Sequence, residues 1–250
     1  MILCLDAGNT RLKWGLWDGQ DWRASGALEH ADTGQLDAAM PARPSRILAC
    51  NVAGDEVAAS IATLAASLSV PLEWFASSAA GGGVSNGYDN PAQLGADRWA
   101  ALIGARSLHA GPALVVMSGT ATTIDVLDAD GVFRGGLILP GLDLMRQALA
   151  RNTAGLPVAR GIYSALPTNT DNAIVSGCLA ATLGAIERMA DSPVCHPSGK
   201  TPGPEFLCLI SGGAAATLVP HLSFSFRRID NLVLLGLAQV SNAAETAHGA

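Results

Sequence analysis

The sequence predicts an α/β protein built from two halves of similar plan on either side of a nucleotide-binding crevice. Three observations carry that prediction. The chain has 250 residues, 49% of them hydrophobic and 14% charged, enough apolar material for a sizeable core and too much for disorder. A strand–glycine turn–strand pattern opens the chain and recurs after His109-Ala110-Gly111-Pro112, which splits it into an N-terminal half, 1–110, and a C-terminal half, 111–250. Each half continues with further strands and helices, although no sequence repeat is visible. Paired α/β halves place a crevice where ligands bind.

The elements follow in order. Met1 to Asp6 is a short apolar strand ending in a carboxylate, Gly8-Asn9 turns, and Leu12 to Trp17 returns as a second strand. Asp18-Gly19 leads to a third strand over 22–28, and Leu36 to Met40 suits a short helix. Arg46 to Val52 is a buried strand, 55–68 an alanine-rich helix with apolar residues at helical spacing, and Val70 to Phe75 a strand. Residues 76–94, rich in Gly, Ser and Asn, form a long loop, a feature that usually serves function or is disordered. A helix covers Gly95 to Leu108.

In the second half, Ala113 to Met117 and Thr122 to Leu127 flank the turn Ser118-Gly119-Thr120, and Asp130-Gly131 leads into a strand from Val132 to Leu139. Helices follow over Gly141 to Ala150 and 171–190, then a Pro/Gly loop over 191–205. Phe206 to Ile210 is a strand, Gly213 to Val219 starts a helix, and Asn231 to Val240 is the last helix.

Composition excludes several function classes. Net charge is -6, and the only lysines are Lys13 and Lys200, so no basic stripe exists for nucleic acid. Mean hydropathy is +0.31, yet no apolar stretch approaches the roughly 18 residues of a membrane span. The start, MILCLDAGNT, has no positive charge before its apolar run and meets a carboxylate at once, which argues against a signal peptide. Five cysteines, odd in number and without a CxxC pair, suit buried thiols in the cytoplasm rather than disulfides or zinc.

Four motifs carry chemistry. In Asp6-Ala7-Gly8-Asn9-Thr10-Arg11-Leu12-Lys13, Gly8 lets backbone amides approach a phosphate, Asn9 and Thr10 add donors, Asp6 suits Mg2+ and Lys13 adds positive charge. An ordinary tight hairpin fits the same spacing. Gly119-Thr120-Ala121-Thr122-Thr123-Ile124-Asp125 repeats the plan, with Thr120 as a phosphate donor or the whole as a plain β-turn. Ser211-Gly212-Gly213 after a strand admits a flat base or ribose, or is a close-packed turn. Gly95-Ala96-Asp97-Arg98 opens a helix. There Asp97 suits either the helix dipole or a general base, and Arg98 suits an anionic substrate group.

Together, in this order and over essentially the whole chain, these motifs resemble the type III pantothenate kinase family of the acetate and sugar kinase, Hsp70 and actin superfamily. The resemblance also rests on Gly135-Gly136-Leu137-Ile138-Leu139-Pro140-Gly141 and on Thr170, seven residues before Gly177. It implies actin-like (ribonuclease H-like) halves and ATP-dependent phosphorylation of pantothenate, the first step of coenzyme A synthesis. Asp97 would be the catalytic base. Residues Asp6 to Lys13 and Thr120 would bind ATP, with Asp6 holding Mg2+ directly or through water. Gly95, Ala96, Asp97 and Arg98, with Tyr88, would bind pantothenate, and Thr170 would reach that site from the partner subunit of a homodimer. From the residues alone, Tyr88 also fits a loop aromatic packed on its neighbours and Thr170 a helix N-cap. The family commonly has an aspartate two residues before the glycine of the second hairpin, holding a monovalent cation, K+ or NH4+. Met117 stands there in this chain. Two other readings share the pattern: a regulatory or accessory protein on the same fold, and a kinase for another small alcohol.

Overall fold

The structure, a computed structural model, describes residues 1–156, 158–195 and 206–248. The expected loop over 191–205 therefore lies largely outside the described residues. Its elements run β1 (Ile2–Ala7), β2 (Leu12–Trp17), β3 (Trp22–Leu28), α1 (Leu36–Ala39), β4 (Arg46–Asn51), α2 (Asp55–Leu68), β5 (Leu72–Trp74), β6 (Ala80–Gly81), β7 (Val84–Asn86) and α3 (Ala96–Leu108). Then come β8 (Ala113–Ser118), β9 (Ala121–Leu127), β10 (Val132–Pro140), α4 (Leu142–Asn152), α5 (Thr170–Ala190), β11 (Leu207–Ser211), α6 (Ala215–Leu218), β12 (Phe226–Arg228) and α7 (Leu232–His248). Short 3-10 turns occupy His30–Gln35, Pro91–Gln93 and Val219–His221.

Two compact units result. The first comprises Met1–Ala110, Gly131–Phe133 and the chain from Asn231 onward; the second comprises Gly111–Asp130 and Arg134–Asp230. Relative to the expected 111–250 half, the last helix thus clusters with the first unit. Packing explains this. A Cβ on Gly236 of α7 would stand 1.8 Å from the Ala100 carbonyl of α3, and one on Gly104 would stand 2.4 Å from the Leu232 carbonyl. Two glycines facing opposite helices let the backbones touch, a contact that hydrophobic periodicity does not register.

In the first unit, strands lie in the order β3-β2-β1-β4-β5. β1 pairs antiparallel with β2 and parallel with β4, so it is central and buried along its whole length. Alternate residues Leu3, Leu5 and Ala7 share one face with Leu12, Trp14, Ile47 and Ala49, and pack with Val57, Ile61, Leu64 and Leu68 of α2. The long loop expected over 76–94 contains a hairpin, β6–β7, and the Pro91–Gln93 turn. Gly82 (φ 57°) and Gly83 (φ 76°) make its two-residue turn, which needs positive φ at both positions. Strands of two and three residues without apolar alternation leave no periodic signal.

In the second unit, β11, β8, β9 and β10 neighbour one another in that order, with β12 beside β11. β8 pairs antiparallel with β9 and parallel with β11. Their core joins Leu114, Val116, Ile124, Val126, Cys208 and Ile210 to Leu179, Leu183 and Ile186 of α5. One expectation needs correction here: α5, with 21 residues and mean hydropathy 1.3, is long and apolar enough to cross a membrane by length and composition. Its Ile174, Cys178, Leu179, Leu183 and Ile186 are buried within this unit, the pattern of a core helix.

Candidate active site

Strand pairing assembles the first cluster. Asp6, the last residue but one of β1, lies in register with Lys13 on β2 and Cys50 on β4. The carboxylate is 5% exposed. Its Oδ1 accepts the Cys50 thiol at 3.5 Å, and its Oδ2 faces Lys13 Nζ at 3.6 Å. Burial pushes the Asp6 pKa above its ordinary value; the Lys13 charge pulls it down and the Asp97 charge pushes it up again. Burial, with Asp6 and Asp97 adding to it, also holds Cys50 well above the usual thiol range, as a neutral donor. Asp97 is therefore near enough for its charge to reach Asp6. Beyond Asp6 the hairpin opens: Gly8 is half-buried, and Asn9, Thr10 and Arg11 are exposed.

Asp97 sits in the first turn of α3, half-buried, and its Oδ1 accepts the Arg98 N–H at 2.8 Å. It therefore does satisfy a free helix N–H, as the dipole reading expects. Gly95 makes that pose possible, since a Cβ there would lie 2.6 Å from Asp97 Oδ1.

Arg98 is 5% exposed. Its Nη1 donates to the Tyr88 hydroxyl at 2.8 Å, and its guanidinium carbon lies 5.6 Å from the Tyr88 ring and 5.8 Å from the Phe133 ring. The two rings are 5.2 Å apart. Tyr88 is thus both a packed aromatic and an Arg98 partner. Sequence reasoning missed Phe133. It reaches this place because Phe133 pairs with Asn86 of β7, and Gly87 has no Cβ to strike the Phe133 carbonyl. Asn86 secures the loop by donating to the Ser78 and Pro91 carbonyls.

The second unit gathers three motifs by close backbone approach. Gly119 N–H donates to Ala121 O within the β8–β9 turn, and Gly141 N–H donates to Thr120 O at 2.9 Å. Cβ atoms on Gly141 and Gly136 would stand 2.1 Å from Gly119 O and 2.0 Å from Asp125 Oδ1. Gly212 has φ 101°, and a Cβ there would meet Ser118 O at 2.2 Å. The SGG turn, the second hairpin and the Gly135–Gly141 run therefore form one backbone-lined surface, with Thr120 exposed upon it. Thr170 is the exposed first residue of α5; the cap is Asn169, whose side chain accepts the Asn172 N–H. Thr170 belongs to the second unit, and Tyr88 and Arg98 to the first.

The donor sets decide which ions fit. Asp6 is a buried carboxylate near a second negative charge and only partly offset by Lys13, so a hard divalent cation suits it. Met117 offers a soft thioether, and its register neighbours Thr123 and Ser211 carry no charge. Among the described residues no three metal-ligating side chains cluster. The Met117 side chain itself brings no oxygen ligand to a monovalent cation.

The type III pantothenate kinase family model matches residues 2–192. The chain belongs to that family. A type III pantothenate kinase of Aromatoleum aromaticum is 54% identical over 243 residues, covering 96% of this chain and 98% of that one. Another, of Herminiimonas arsenicoxydans, is 52% identical over 256 residues, with 96% and 97% coverage. Among solved structures, a conserved Campylobacter jejuni protein assigned to the Baf family of transcriptional activators matches with TM-score 0.64 at 17% identity, covering 98% and 99%. The ADPNP-bound activator of 2-hydroxyisocaproyl-CoA dehydratase from Clostridium difficile matches with TM-score 0.51 at 12% identity, covering 100% and 97%. At those identities the likeness shows the fold alone: the α/β, actin-like ATPase and sugar kinase architecture. Membership of the family makes the chain a pantothenate kinase, an ATP-dependent transferase of coenzyme A synthesis.

Proposed function

We infer that the phosphoryl transfer runs on Asp97. Its carboxylate accepts the proton of the pantothenate primary hydroxyl as that oxygen attacks the γ-phosphorus, and the bond to the β-phosphate bridging oxygen breaks to release ADP. The observation that carries this reading is the Asp97–Arg98 pair at the start of α3. One residue offers a half-buried carboxylate, and its neighbour a guanidinium held against the paired Tyr88 and Phe133 rings. Arg98 then takes the pantothenate carboxylate, oriented by Tyr88, with the Gly95–Ala96 backbone beside it.

The Asp6–Lys13 hairpin and Thr120 hold the triphosphate. Asp6 holds Mg2+, directly or through water, and the ion when bound offsets charge on the β- and γ-phosphates. Lys13 partly offsets the Asp6 charge before the nucleotide arrives. Catalysis rests on positioning and electrostatics. No step is assigned to K+ or NH4+.

A homodimer completes the site, with Thr170 supplied by the partner subunit. Supporting this, α4 has no buried residue, while Leu144, Leu149, Ile138, Ile162 and Leu166 are exposed in the same unit. Apolar surface of that extent suits a second copy. Five buried, unpaired cysteines suit a reducing cytoplasm, and net charge -6 gives nucleic acid no footing. Coupled measurement of ADP release tests the assignment. Release that requires pantothenate supports it, and equal release with water or another primary alcohol overturns it.

A further inference from the structure

His30 has no part in the chemistry above, yet it is tied to the phosphate hairpin. It opens the His30–Gln35 turn, and its Nε2 lies 2.9 Å from the carbonyl oxygen of Gly8. A carbonyl only accepts, so Nε2 is the donor. Nδ1 is buried and makes no hydrogen bond. The ring therefore spends its single polar contact on Gly8. Its own position is anchored from behind. Thr33, 2% exposed, donates its hydroxyl to the His30 carbonyl at 2.7 Å, and Leu36 is fully buried in the core beneath α2. The Arg11–Glu29 pair, at 3.2 Å, links the same two segments, but both side chains are about 60% exposed and hold little.

The consequence follows from peptide geometry. In a planar trans peptide the C=O and the next N–H point in opposite directions. Holding Gly8 O towards His30 turns the Asn9 N–H away from His30, and Asn9 itself is exposed at the hairpin tip. Glycine by itself resists rotation of this peptide poorly, so an outside restraint is needed. We propose that His30 is a positioning residue for nucleotide binding: through the Gly8 carbonyl it presents the Asn9 N–H as a donor to a phosphate oxygen of ATP. The proposal rests on the hairpin's role as a phosphate site.

A double-variant cycle on the full chain tests it, with MgATP and pantothenate varied separately. His30→Leu, which lacks the donor, should raise KM for MgATP about tenfold, the loss of one hydrogen bond to an anion, and leave KM for pantothenate unchanged. His30→Gln, whose amide reaches as Nε2 does, should restore KM to within about threefold of the unmodified protein. Asn9→Pro deletes the N–H itself, so adding His30→Leu to it should change nothing further. Asn9→Ala keeps the N–H, so His30→Leu should retain its full effect there. Melting temperatures of all variants separate folding from binding. An unchanged KM for MgATP in His30→Leu, parallel rises for both substrates, or independent effects in the Asn9→Pro double variant would overturn the proposal. Undiminished MgATP use in Asn9→Pro would overturn it as well, and the same result in Asp6→Asn would overturn the phosphate role of the hairpin.

Discussion

Gly95→Ala is a small change with a large expected effect on turnover. The new Cβ would stand 2.6 Å from Asp97 Oδ1, where ordinary contact begins at 3.4 Å. The carboxylate oxygen must retreat by about 0.8 Å, which breaks its bond from the Arg98 N–H. A misplacement near 1 Å at a reacting group costs about a hundredfold in rate. We therefore expect kcat to fall by roughly 30- to 100-fold. The fold should persist, because the clashing atom is the far end of a side chain and Gly95, at φ -56° and ψ 136°, already has a conformation open to alanine. Exchanging Gly for Ala at a helix N-cap costs no more than about 1 kcal/mol. Steady-state kinetics by coupled ADP release, with a thermal melt alongside, supply both readings. A kcat within about threefold of the unmodified protein would refute the argument that Gly95 exists to seat Asp97.

Three further predictions follow. Asp6→Asn should abolish efficient MgATP use and raise the melting temperature of the ligand-free protein, because burial opposes the Asp6 charge. A folded-state pKa above the ordinary 3.8 means that stability is lost as pH rises from near 3.8 through the raised value, so the Asn advantage should be present at neutral pH and vanish in acid; equal melts at pH 7 would contradict this. Activity should depend little on K+, and Met117→Asp should increase that dependence; a steep, saturable K+ requirement in the unmodified protein, measured at constant ionic strength, would show that other oxygens build the site. Mixing inactive Asp97→Asn with a disabling Thr170 variant should restore some activity through shared sites, and a fully active monomer in light scattering would refute the dimer.

Much of this was legible in the sequence because strand pairing follows apolar pattern, and glycine turns mark their own places. β1, β2, β8 and β9 fall where alternation and glycines put them, with Asp6 buried on β1 and Asp97 half-buried in the first turn of α3. Other features depend on atoms distant in the chain. The transfer of α7 to the first unit rests on the Gly104–Gly236 contact, and Phe133 joins Arg98 only through pairing with the unforeseen β7. Cys50 reads as a buried thiol until parallel register sets it against Asp6. Thr170 illustrates a near miss, since the expected cap falls one residue earlier, on Asn169. Length and composition let α5 pass as a membrane span; only its buried face makes it a core helix.

The most direct test of the central claim compares Asp97→Asn with the unmodified enzyme in turnover and in calorimetric binding of MgATP and pantothenate. Amide for carboxylate preserves shape and removes the negative charge and, with it, the proton acceptor. The account predicts turnover lower by about two to four orders of magnitude, with both ligands still bound. Near-normal turnover in Asp97→Asn would contradict it and remove Asp97 from the chemistry.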